Sequence, residues 1–525
     1  MRLETILFAH CRRHPDKEAV VCGERRLTYG ALEASIRSLA SGLRGQGLGP
    51  GDRIVLYLPN GTEFVELLYA ALALGAIAIP VTTRLTLKEL AYFCEDSGAT
   101  MVAFAAAQAE GMRPILEARP ALRGIVVGVG VGGEGEAGLL AFAALADAPA
   151  EPLPVLAEDR EECMIMYTSG TTGRPKGVVL THANILVNHG FMNAVEWGIR
   201  ADDRYLVASP LAHRAGLGRL MNAMTLGGTI HVATAFEPDH IVEVIERERI
   251  TVFGMVPTMC RLLLPSLERD PARCRSLRLI VVTGEAFPVE LKERLIRLLP
   301  DVQLVSFFAM TEAGAVTNLS HAEQFTHPKS VGRPAPGVET RIVDAEGNDV
   351  EPGGVGELLV RSGRPGAFTI MKGYFNRPED TARALAGGWF HTGDMARVDG
   401  DGYVHIVDRK KDMILSGGFN IYSKEVELAI VEVAGVADAA VVGVPDPVYG
   451  EAVAAFVEAD AAGTPPTAEQ IIAHCRDAIA SYKKPKHVFF VDALPRNAVG
   501  KVMKHQLADL ARARLAEAGG VGGAP

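Results

Sequence analysis

Short apolar runs alternate with amphipathic ones from about residue 160 onward, and this alternation constrains the fold more than any other feature of the chain. Runs such as "YLVAS", "TVFGMV" and "LRLIVVTG" have the length of buried strands. Between them, "DHIVEVIERER" and "PVELKERLIRLL" carry the apolar spacing of helices that cover one face. Strand–helix alternation predicts parallel sheets covered by crossover helices, and the first 110 residues repeat it. The sequence therefore predicts an α/β fold.

The pattern changes after about residue 340, where glycine and proline separate short strands. Beyond "DRKKDMILSGG" the order is helix, strand, strand, helix, strand, which predicts a compact α+β unit of roughly 110 residues. We predict a large N-terminal domain over 1–408, with parallel-rich sheets covered by helices. A hinge at 409–412 would join it to a small, mobile C-terminal domain over 413–525.

Charge and cysteine content exclude several classes of protein. The 53 basic and 63 acidic side chains give a net charge of −10. Nucleic-acid binders usually carry a basic footprint, so nucleic acid is not expected as the main partner. The 7 cysteines are odd in number and form no CxxC pair, which argues against a disulfide framework or a zinc site. We expect them to be buried as small apolar residues.

We expect neither a targeting segment nor a membrane-spanning segment in this sequence. Glu4 interrupts the N-terminus where a signal peptide needs an apolar run. The longest apolar stretch, "LLYAALALGAIAIP", ends after about a dozen residues and is too short to span a bilayer. We predict that it forms a buried helix that leads into a strand, and that the protein is cytoplasmic.

The stretch "TSGTTGRPKG" (168–177) combines glycines, hydroxyl side chains and a lysine. It follows the apolar run "CMIMY" and is predicted to precede a helix capped by Thr181. Glycines let the backbone approach a ligand closely, while hydroxyls, backbone N–H groups and Lys176 suit the oxygens of a polyphosphate. The spacing is not that of a Walker A loop, because the glycine Gly177 follows the lysine.

Extended to "YTSGTTGRPKGVVLTH", this stretch resembles the phosphate loop of the adenylate-forming superfamily. That superfamily contains acyl-CoA synthetases, aryl-CoA ligases, peptide-synthetase adenylation domains and beetle luciferases. The likeness covers nearly the whole chain, because further motifs of the family follow in order: "TGEAFP", "FFAMTEAG", "MKGYFNRPEDTARAL", "GWFHTGD", "GYVHIVDRKKDMILSGGFNIY" and "LPRNAVGK".

The resemblance implies a two-step reaction that uses ATP, Mg²⁺ and coenzyme A. A carboxylic acid first forms an acyl-adenylate with release of pyrophosphate, and a thiol then displaces AMP. The residues implied in ATP binding are Thr168, Ser169, Gly170, Thr171, Thr172, Gly173, Lys176, Gly284, Glu285, Ala286, Phe308, Thr311, Asp394, Arg409 and Lys501. Phe308 stands where the family usually has a tyrosine that stacks on adenine, and Asp394 would accept hydrogen bonds from the ribose hydroxyls.

Three residues are implied in catalysis, namely Glu312, Lys501 and His213. Glu312 would hold Mg²⁺ together with Thr168, since Mg²⁺ prefers oxygen ligands. Lys501 would stabilise the charge that builds up on the α-phosphate and the carboxylate during adenylation. His213 matches a histidine or aromatic that the family places between the acyl group and ATP. Where the family often has an arginine three residues after the lysine, this chain has Lys504, and we expect little effect.

The thioester step is assigned to the small domain. Gly417, Gly418 and Phe419 resemble the segment that lines the pantetheine tunnel of coenzyme A. Because they and Lys501 would act in different steps, we expect the small domain to rotate between the steps. Lys411, within "DRKKD", is the predicted pivot of this rotation.

The sequence says least about the acid. A second carboxylate on the substrate is one possible ligand for Arg214 and Arg219, but we expect these arginines to lie on the surface or in salt bridges. "PLAHRAG" contains no aspartate that could pair with a substrate ammonium group. We therefore predict a neutral-tailed acid, aliphatic or aromatic, kept short to medium in size by Ala309, which replaces the family's usual glycine.

The leading interpretation is an AMP-forming acyl-CoA synthetase of fatty acid or related metabolism, with a homodimer as one possible assembly. A rival is an acyl-AMP ligase that loads a carrier protein; such ligases carry an insertion that this sequence does not show. A non-catalytic nucleotide or acyl sensor is a third alternative. A sensor is expected to lose Lys176, Glu312, Asp394 or Lys501, and all four are present.

Overall fold

A computed structural model describes residues 1–128, 139–156, 161–168, 175–284, 287–417, 419–460, 464–497 and 501–520. The chain forms two compact units. The first comprises Met1–Thr340 and Val360–Phe390, and the second comprises Arg341–Leu359 and His391–Pro525. The predicted hinge at 409–412 falls within the second unit, and the domain boundary stays a prediction.

The strands in chain order are β1 (Glu18–Cys22), β2 (Arg25–Thr28), β3 (Arg53–Tyr57), β4 (Ile77–Pro80), β5 (Met101–Ala105), β6 (Arg123–Val127), β7 (Leu139–Ala141), β8 (Glu162–Thr168), β9 (Lys176–Thr181), β10 (Arg204–Val207), β11 (Thr229–Val232), β12 (Val252–Met255), β13 (Leu279–Val282), β14 (Gln303–Met310), β15 (Gly314–Leu319), β16 (Arg333–Pro334), β17 (Glu339–Val343), β18 (Gly356–Arg361), β19 (Gly373–Tyr374), β20 (Phe390–Val398), β21 (Val404–Arg409), β22 (Ile414–Ser416), β23 (Phe419–Ile421), β24 (Val436–Asp446), β25 (Gly450–Ala459) and β26 (His487–Val491).

The α-helices are α1 (Leu3–Arg13), α2 (Tyr29–Gly45), α3 (Thr62–Ala73), α4 (Leu87–Ser97), α5 (Ala109–Glu117), α6 (Phe142–Ala146), α7 (His182–Ile185), α8 (Asn193–Trp197), α9 (Arg214–Leu226), α10 (Pro238–Glu248), α11 (Pro257–Arg269), α12 (Val289–Leu298), α13 (Glu323–Thr326), α14 (Pro378–Ala384), α15 (Ser423–Val431), α16 (Ala468–Ala478) and α17 (Lys504–Gly520). A π-helical segment, Leu186–Met192, joins α7 to α8.

The first unit contains two sheets whose strands are mostly parallel. One has the order β16-β15-β14-β13-β12-β10-β11-β1-β2, and the run from β14 to β1 is parallel throughout. The other has the order β19-β9-β8-β4-β3-β5-β6-β7, parallel from β8 to β7. These sheets confirm the α/β fold class.

Crossover helices cover the sheets as the apolar spacing predicted. Helices α10, α11 and α12 bury their apolar faces against β12, β13 and β14 in one core. Helices α4 and α5 form a second core over β3, β5 and β6. Every residue of α3 except Glu63 is buried, and β4 follows it, which confirms the predicted buried helix leading into a strand. The carboxyl ends of the parallel strands therefore meet at one edge, where ligands of α/β folds usually bind.

The second unit also contains two sheets, with strand orders β17-β18-β20-β21 and β23-β22-β25-β24, the latter extended by β26 beside β25. Helices α15 and α16 cover one face of the β24–β25 pair, and α17 covers the other. The order α15, β24, β25, α16, β26 confirms the pattern predicted for the C-terminal part of the chain.

Two predictions made from composition can also be compared with the structure. All cysteines are free, and all except Cys22 are buried, in agreement with their expected role as small apolar residues. Within the described ranges, no helix is long and apolar enough to cross a membrane. The sequence also predicts an exposed loop at the glycine-rich stretch 126–138; its first two residues end β6, and 129–138 lie outside the described ranges.

Candidate active site

The glycine–threonine stretch connects two antiparallel strands. Thr168 at the end of β8 pairs with Lys176 at the start of β9, and these two antiparallel strands form the β8–β9 hairpin. A strand that was not predicted, β9, lies between this stretch and the helix, because the run "KGVVLT" contains β-branched residues that favour a strand. Thr181 does cap the helix that follows, accepting a hydrogen bond from Asn184 N at 3.1 Å. The predicted phosphate ligands Ser169, Gly170, Thr171, Thr172 and Gly173 lie outside the described residues.

Glu312 lies close to one end of this hairpin. Its carboxylate oxygen Oε1 lies 3.4 Å from Thr168 Oγ1 and accepts a 3.2 Å hydrogen bond from Tyr374 Oη. Burial, and then the neighbouring Glu312 carboxylate, raise the pKa of Tyr374 far above its usual value, which keeps this hydroxyl a donor. The structure therefore brings together both predicted metal-binding residues.

The Glu312 backbone is fixed by contacts on both sides of the turn between β14 and β15. Its carbonyl accepts a 2.7 Å hydrogen bond from Met371 N. Asn188, from the π-helical segment, accepts a 3.0 Å hydrogen bond from Ala315 N on β15. π-Helical turns are frequent at functional sites, because they re-aim side chains inside a helix. Here the turn places an amide next to the strand that follows the carboxylate.

Lys176 carries its charge towards the same cluster. Its Nζ lies 3.0 Å from Asp380 Oδ2 and 5.2 Å from the centre of the Tyr374 ring. The hydrogen bond from Lys176 lowers the pKa of Asp380, so this carboxylate stays ionised. The lysine is thus held beside Glu312 by a carboxylate in the first turn of α14, where the helix dipole also favours a negative charge.

The predicted adenine-binding residues follow neighbouring parallel strands. Gly284 comes just after β13, and Phe308 lies on β14. Thr283 Oγ1 donates a 3.1 Å hydrogen bond to the Phe307 carbonyl and ties the two strand ends together. Gly284 has φ +100°, a conformation that other residues adopt only with strain. Thr311 is half-buried beside Glu312, whereas Glu285 and Ala286 lie outside the described residues.

The oxygen-rich cluster fits a magnesium ion that is also held by a polyphosphate. No group of three or more His, Cys, Asp or Glu residues that could hold a metal occurs in the part of the chain described. Mg²⁺ does not need one, because it usually takes one or two carboxylates and completes its shell with phosphate oxygens and water. Glu312 and Thr168 supply a carboxylate and a hydroxyl 3.4 Å apart.

His213 and the two arginines that follow it belong to one end of α9. His213 is the N-cap residue of α9 and is half-buried; Ala309 lies on β14. The expectation that Arg214 and Arg219 are surface or salt-bridged residues is wrong. Arg219 is only 4 % exposed, and the terminal nitrogens of Arg214 are buried. Both terminal nitrogens of Arg214 and the Nε of Arg219 are buried without a hydrogen-bond partner among the described residues.

In the second unit, the two residues predicted to contact ribose form a pair. Asp394 on β20 lies opposite Arg409 on β21, and Arg409 Nε contacts Asp394 Oδ1 at 2.7 Å. Asp394 is buried, while the Arg409 side chain is 42 % exposed. The arginine therefore orients the carboxylate and leaves part of its own guanidinium available to a ligand.

The remaining predicted residues of the second unit lie on exposed segments. Gly417 has φ +57° and donates its N–H to the Tyr449 carbonyl at 2.8 Å, and Phe419 is 55 % exposed. Lys411 lies exposed in the short 3₁₀ turn Lys410–Asp412. Lys501 is also exposed, and its backbone N–H donates to Asn497 Oδ1 at 2.9 Å. Gly418 lies outside the described residues.

Sequence reasoning missed several members of the first-unit site. Tyr374 and Asp380 both fall inside "MKGYFNRPEDTARAL", which the motif comparison found without giving either residue a role. Asn188 lies in a segment predicted to be an ordinary helix. A signal for Tyr374 and Asp380 was available, whereas none in the sequence indicated the π turn that places Asn188.

The two-unit α/β fold, with a glycine–threonine hairpin beside a fixed glutamate, is that of an adenylate-forming enzyme. Residues 7–375 match the family model "AMP-binding enzyme", and residues 425–501 match "AMP-binding enzyme C-terminal domain". The chain belongs to this AMP-binding enzyme family.

Named relatives cover nearly all of the chain. A feruloyl-CoA synthase of an Amycolatopsis species is 38% identical over 503 residues, covering 94% of this chain and 96% of its own length. A fatty acid–[acyl-carrier-protein] ligase, ScoC, of Streptomyces coeruleorubidus is 32% identical and covers 95% and 94%. Among solved structures, the o-succinylbenzoate CoA synthetase of Bacillus subtilis with its acyl-adenylate intermediate has a TM-score of 0.83 at 28% identity, covering 96% and 97%.

Proposed function

We propose that the protein is an ATP-dependent, AMP-forming acyl-CoA synthetase, an acid–thiol ligase. The observation that carries the proposal is the cluster at the closed end of the β8–β9 hairpin. There, a fixed carboxylate, Glu312, lies within 3.4 Å of Thr168, and Lys176 is held next to the same tyrosine. The family membership and the CoA ligase among the relatives support the same activity.

In the first step, the substrate carboxylate attacks the α-phosphorus of ATP, and the bond to pyrophosphate breaks. A carboxylic acid is already ionised at neutral pH, so the protein need not supply a base. The task of the site is positioning and charge stabilisation. Lys176 and the hairpin would bind the β- and γ-phosphates, while Asp394, oriented by Arg409, would bind ribose. Lys501 would stabilise the charge that develops around the α-phosphate.

Mg²⁺ bound by Glu312 and Thr168 would neutralise charge on the ATP phosphates. Tyr374 then has a positioning role, because its hydroxyl fixes the Glu312 oxygen that also faces Thr168. Asp380 pairs with Lys176 and so holds this cation close to the cluster. The Glu312 oxygen is not used by that pair and stays next to Thr168 and Tyr374.

In the second step, the thiol of coenzyme A attacks the acyl carbon, and the bond to AMP breaks. The exposed segment at Gly417 and Phe419 would bind the pantetheine arm, because a glycine with positive φ lets a thin ligand approach the backbone. We propose Lys411 as the pivot that exchanges this segment with Lys501 between the two steps. Its exposed side chain can stay hydrated in either orientation.

A carrier protein is the alternative acceptor of the acyl group. The relative named as a fatty acid–[acyl-carrier-protein] ligase favours this second candidate, although it is less similar to this chain than the feruloyl-CoA synthase. Both acceptors present a pantetheine thiol, so the first step would be the same. The cytoplasmic location and the homodimer stay predictions, and light scattering of the purified protein checks the latter.

The activity is tested with a panel of carboxylic acids and ATP, by measuring pyrophosphate release and thioester formation with coenzyme A or with a holo-carrier protein. Acid-dependent pyrophosphate release that stops on Mg²⁺ removal is expected, followed by thioester only when the correct thiol is present. Thioester on the carrier but not on coenzyme A would select the alternative. A lack of release with every acid would contradict the proposal, and binding of ATP without turnover would indicate a sensor.

The rotation is tested with a Lys411→Pro variant. Proline fixes φ near −65° and would hold the hinge in one orientation. We expect normal pyrophosphate release but no thioester from supplied acyl-adenylate and coenzyme A. Equal loss of both half-reactions would contradict the pivot, and Lys411→Ala is the matched control because it removes the charge without restricting the backbone.

A further inference from the structure

Arg219 lies inside the first unit in a space that the backbone leaves for it. It belongs to α9, and its stem passes over Gly254 on β12. A Cβ atom on Gly254 would lie 2.7 Å from Arg219 Cδ and 2.8 Å from Cγ, closer than packing allows. The guanidinium carbon Cζ stands 4.8 Å from the centre of the Trp197 ring. The missing side chain at Gly254 and the flat ring of Trp197 thus leave room for the long Arg219 side chain.

The charge of Arg219 has no negative partner among the described residues. Its Nε is buried without a hydrogen-bond acceptor, and so are both terminal nitrogens of Arg214 at the start of the same helix. Burial lowers the pKa of each arginine to about 10, which leaves both of them protonated at neutral pH. Burying an unpaired charge lowers the stability of the folded protein, because the charged group loses its hydration and gains no opposite charge or hydrogen-bond acceptor.

The groups that face these arginines do not supply the missing charge. His189 is buried, and its pKa is well below the usual value because of burial and both arginines, so it is neutral. Burial raises the pKa of Tyr205, which keeps its hydroxyl neutral beside Arg219. Glu312 interacts with Arg214 but is engaged by Thr168 and Tyr374. The buried surroundings of Arg214 and Arg219 therefore keep a net positive charge.

A small cavity of about 10 Å³, room for roughly one water molecule, adjoins Arg219. Its lining is shared between α9 and the carboxyl ends of β12, β13 and β14, and consists of Ser209, Ala215, Arg219, Gly254, Met255, Val281, Thr283 and Phe307. Thr283 and Phe307 directly precede Gly284 and Phe308, two predicted ATP-binding positions. The cavity thus adjoins two of the residues that are proposed to form the active site.

We propose that Arg219 determines substrate specificity by binding a second carboxylate at the far end of the acid that is activated. This inference rests on the proposed function and names its substrate class as dicarboxylic acids. It replaces the neutral-tailed acid predicted from the sequence. Diacids with spacers of different length therefore belong in the test, because the cluster of buried cations fixes the charge of the second group and not its distance from the first.

The chemistry of the two partners explains the expected selectivity. A guanidinium can donate two parallel hydrogen bonds to a carboxylate, and such charge-assisted pairs are strong in a dry site. An acid that lacks the second carboxylate leaves the buried guanidinium unpaired. Sites built around a buried polar group reject substrates without the matching group by factors of about 10⁴.

The experiment compares acids of equal length that differ in the terminal group. Glutaric, adipic, pimelic and terephthalic acids are paired with pentanoic, hexanoic, heptanoic and 4-methylbenzoic acids, and kcat/KM is measured by pyrophosphate release. The best diacid should exceed its matched monoacid by at least about 100-fold. In Arg219→Met this ratio should fall at least about 50-fold, and in Arg219→Lys it should fall less, because the charge remains.

Two further variants separate binding from a structural role. Lys292→Met removes another buried cation that lies over a ring, Phe287, but that bonds to the Pro328 carbonyl and does not line the cavity. It should leave the diacid-to-monoacid ratio unchanged. Gly254→Ala should lower that ratio, because its methyl group displaces the Arg219 stem. Equal losses for diacids and monoacids in Arg219→Met would show that the arginine is only structural.

The failure of this inference differs from the failure of the proposed function. If monoacids release pyrophosphate as well as or better than diacids, the synthetase stands and the role of Arg219 is refuted. If no acid of either type releases pyrophosphate, the proposed function fails and this inference fails with it.

Discussion

Arg219 of the first unit and Lys501 of the second unit are both proposed to contact the substrate, and they are cations in opposite surroundings. Arg219 is 4 % exposed, lies on a helix packed into the core, and has no ion pair among the described residues. Lys501 is exposed on a short irregular segment before α17. Folding must remove water from the arginine, whereas the lysine keeps its water. The comparison predicts that the buried charge of Arg219 lowers the stability of the protein, whereas the exposed charge of Lys501 does not.

The largest effect is expected from Lys501→Ala. Loss of one group that stabilises transition-state charge typically lowers the rate by about 10²–10³-fold, or roughly 3–4 kcal/mol. Pyrophosphate release should fall by this factor, with the melting temperature unchanged because the side chain is exposed. Conversion of supplied acyl-adenylate and coenzyme A to thioester should persist. A clear drop in melting temperature would break the contrast with Arg219.

The next largest effect is expected at Lys504, a cation of the second unit that has an ion-pair partner. Lys504 Nζ lies 2.7 Å from Glu427 Oε1 and donates to Ser423 Oγ at 2.6 Å. Ser423 donates in turn to Asp408 Oδ2 at 2.8 Å. Lys504→Met should lower the free energy of unfolding by about 2 kcal/mol, because buried Glu427 loses a charged partner. Thermal or urea unfolding measures this, and Lys504→Arg should keep most of the stability. A Met variant as stable as the wild type would contradict the importance of the pair.

His182 differs from Arg219 because it is a buried group that is neutral in the folded protein. Burial lowers its pKa to about 3, with Arg2 adding to the effect, and the ring accepts a hydrogen bond from Leu3 N at 3.2 Å, with Glu4 3.9 Å away. Above pH 6.5 the ring is neutral in both states, and stability is complete. Below it, the unfolded chain alone takes up a proton, so stability should fall by about 1.4 kcal/mol per pH unit.

Unfolding measured between pH 7.5 and 5.5 checks the His182 prediction against His182→Gln. The variant should show a shallower decline, because glutamine does not titrate. An equal slope in both proteins would assign the acid sensitivity to other buried groups, such as His231, whose pKa burial lowers to about 4.

The smallest effect, and the one of opposite sign, is expected from Arg219→Met. Replacing an uncompensated buried charge with an apolar side chain of similar length should raise the free energy of unfolding by about 1 kcal/mol. Lys292→Met provides the contrast, because the Lys292 ammonium already donates a 2.7 Å hydrogen bond to a carbonyl. Removing that ammonium should lower the free energy of unfolding. Calorimetry in the absence of substrate measures both. Destabilisation by Arg219→Met would mean that its contact with Trp197 outweighs the unpaired charge.

The parallel strands β10 to β14 could be predicted because a strand that is buried on both faces appears in the sequence as an unbroken apolar run. The residues around Glu312 could be predicted in part, since a contiguous family motif contains them. The hairpin at Thr168 and Lys176 could not, because a strand that begins with lysine and glycine looks like the end of a loop.

The position of Arg219 could not be predicted from its own segment either. A single arginine within an apolar helical pattern usually faces water, and "AGLGRLMNAM" gives no contrary sign. Its burial depends on Gly254, which belongs to a strand much later in the chain, and on Trp197. Such a contact between distant segments is visible only once they are folded together.

The hairpin between β8 and β9 has a consequence for how the enzyme can change during evolution. Thr168 and Lys176 are paired across the two strands, so the sheet holds both ends of the connection at a cross-strand distance whatever sequence lies between them. Because the ends are already joined, lengthening the connection adds only a slowly growing closure entropy, about 0.6 kcal/mol for each doubling. Changes in the length of this connection should therefore cost the fold little, and their effects are expected mainly in the proposed binding of the ATP phosphates.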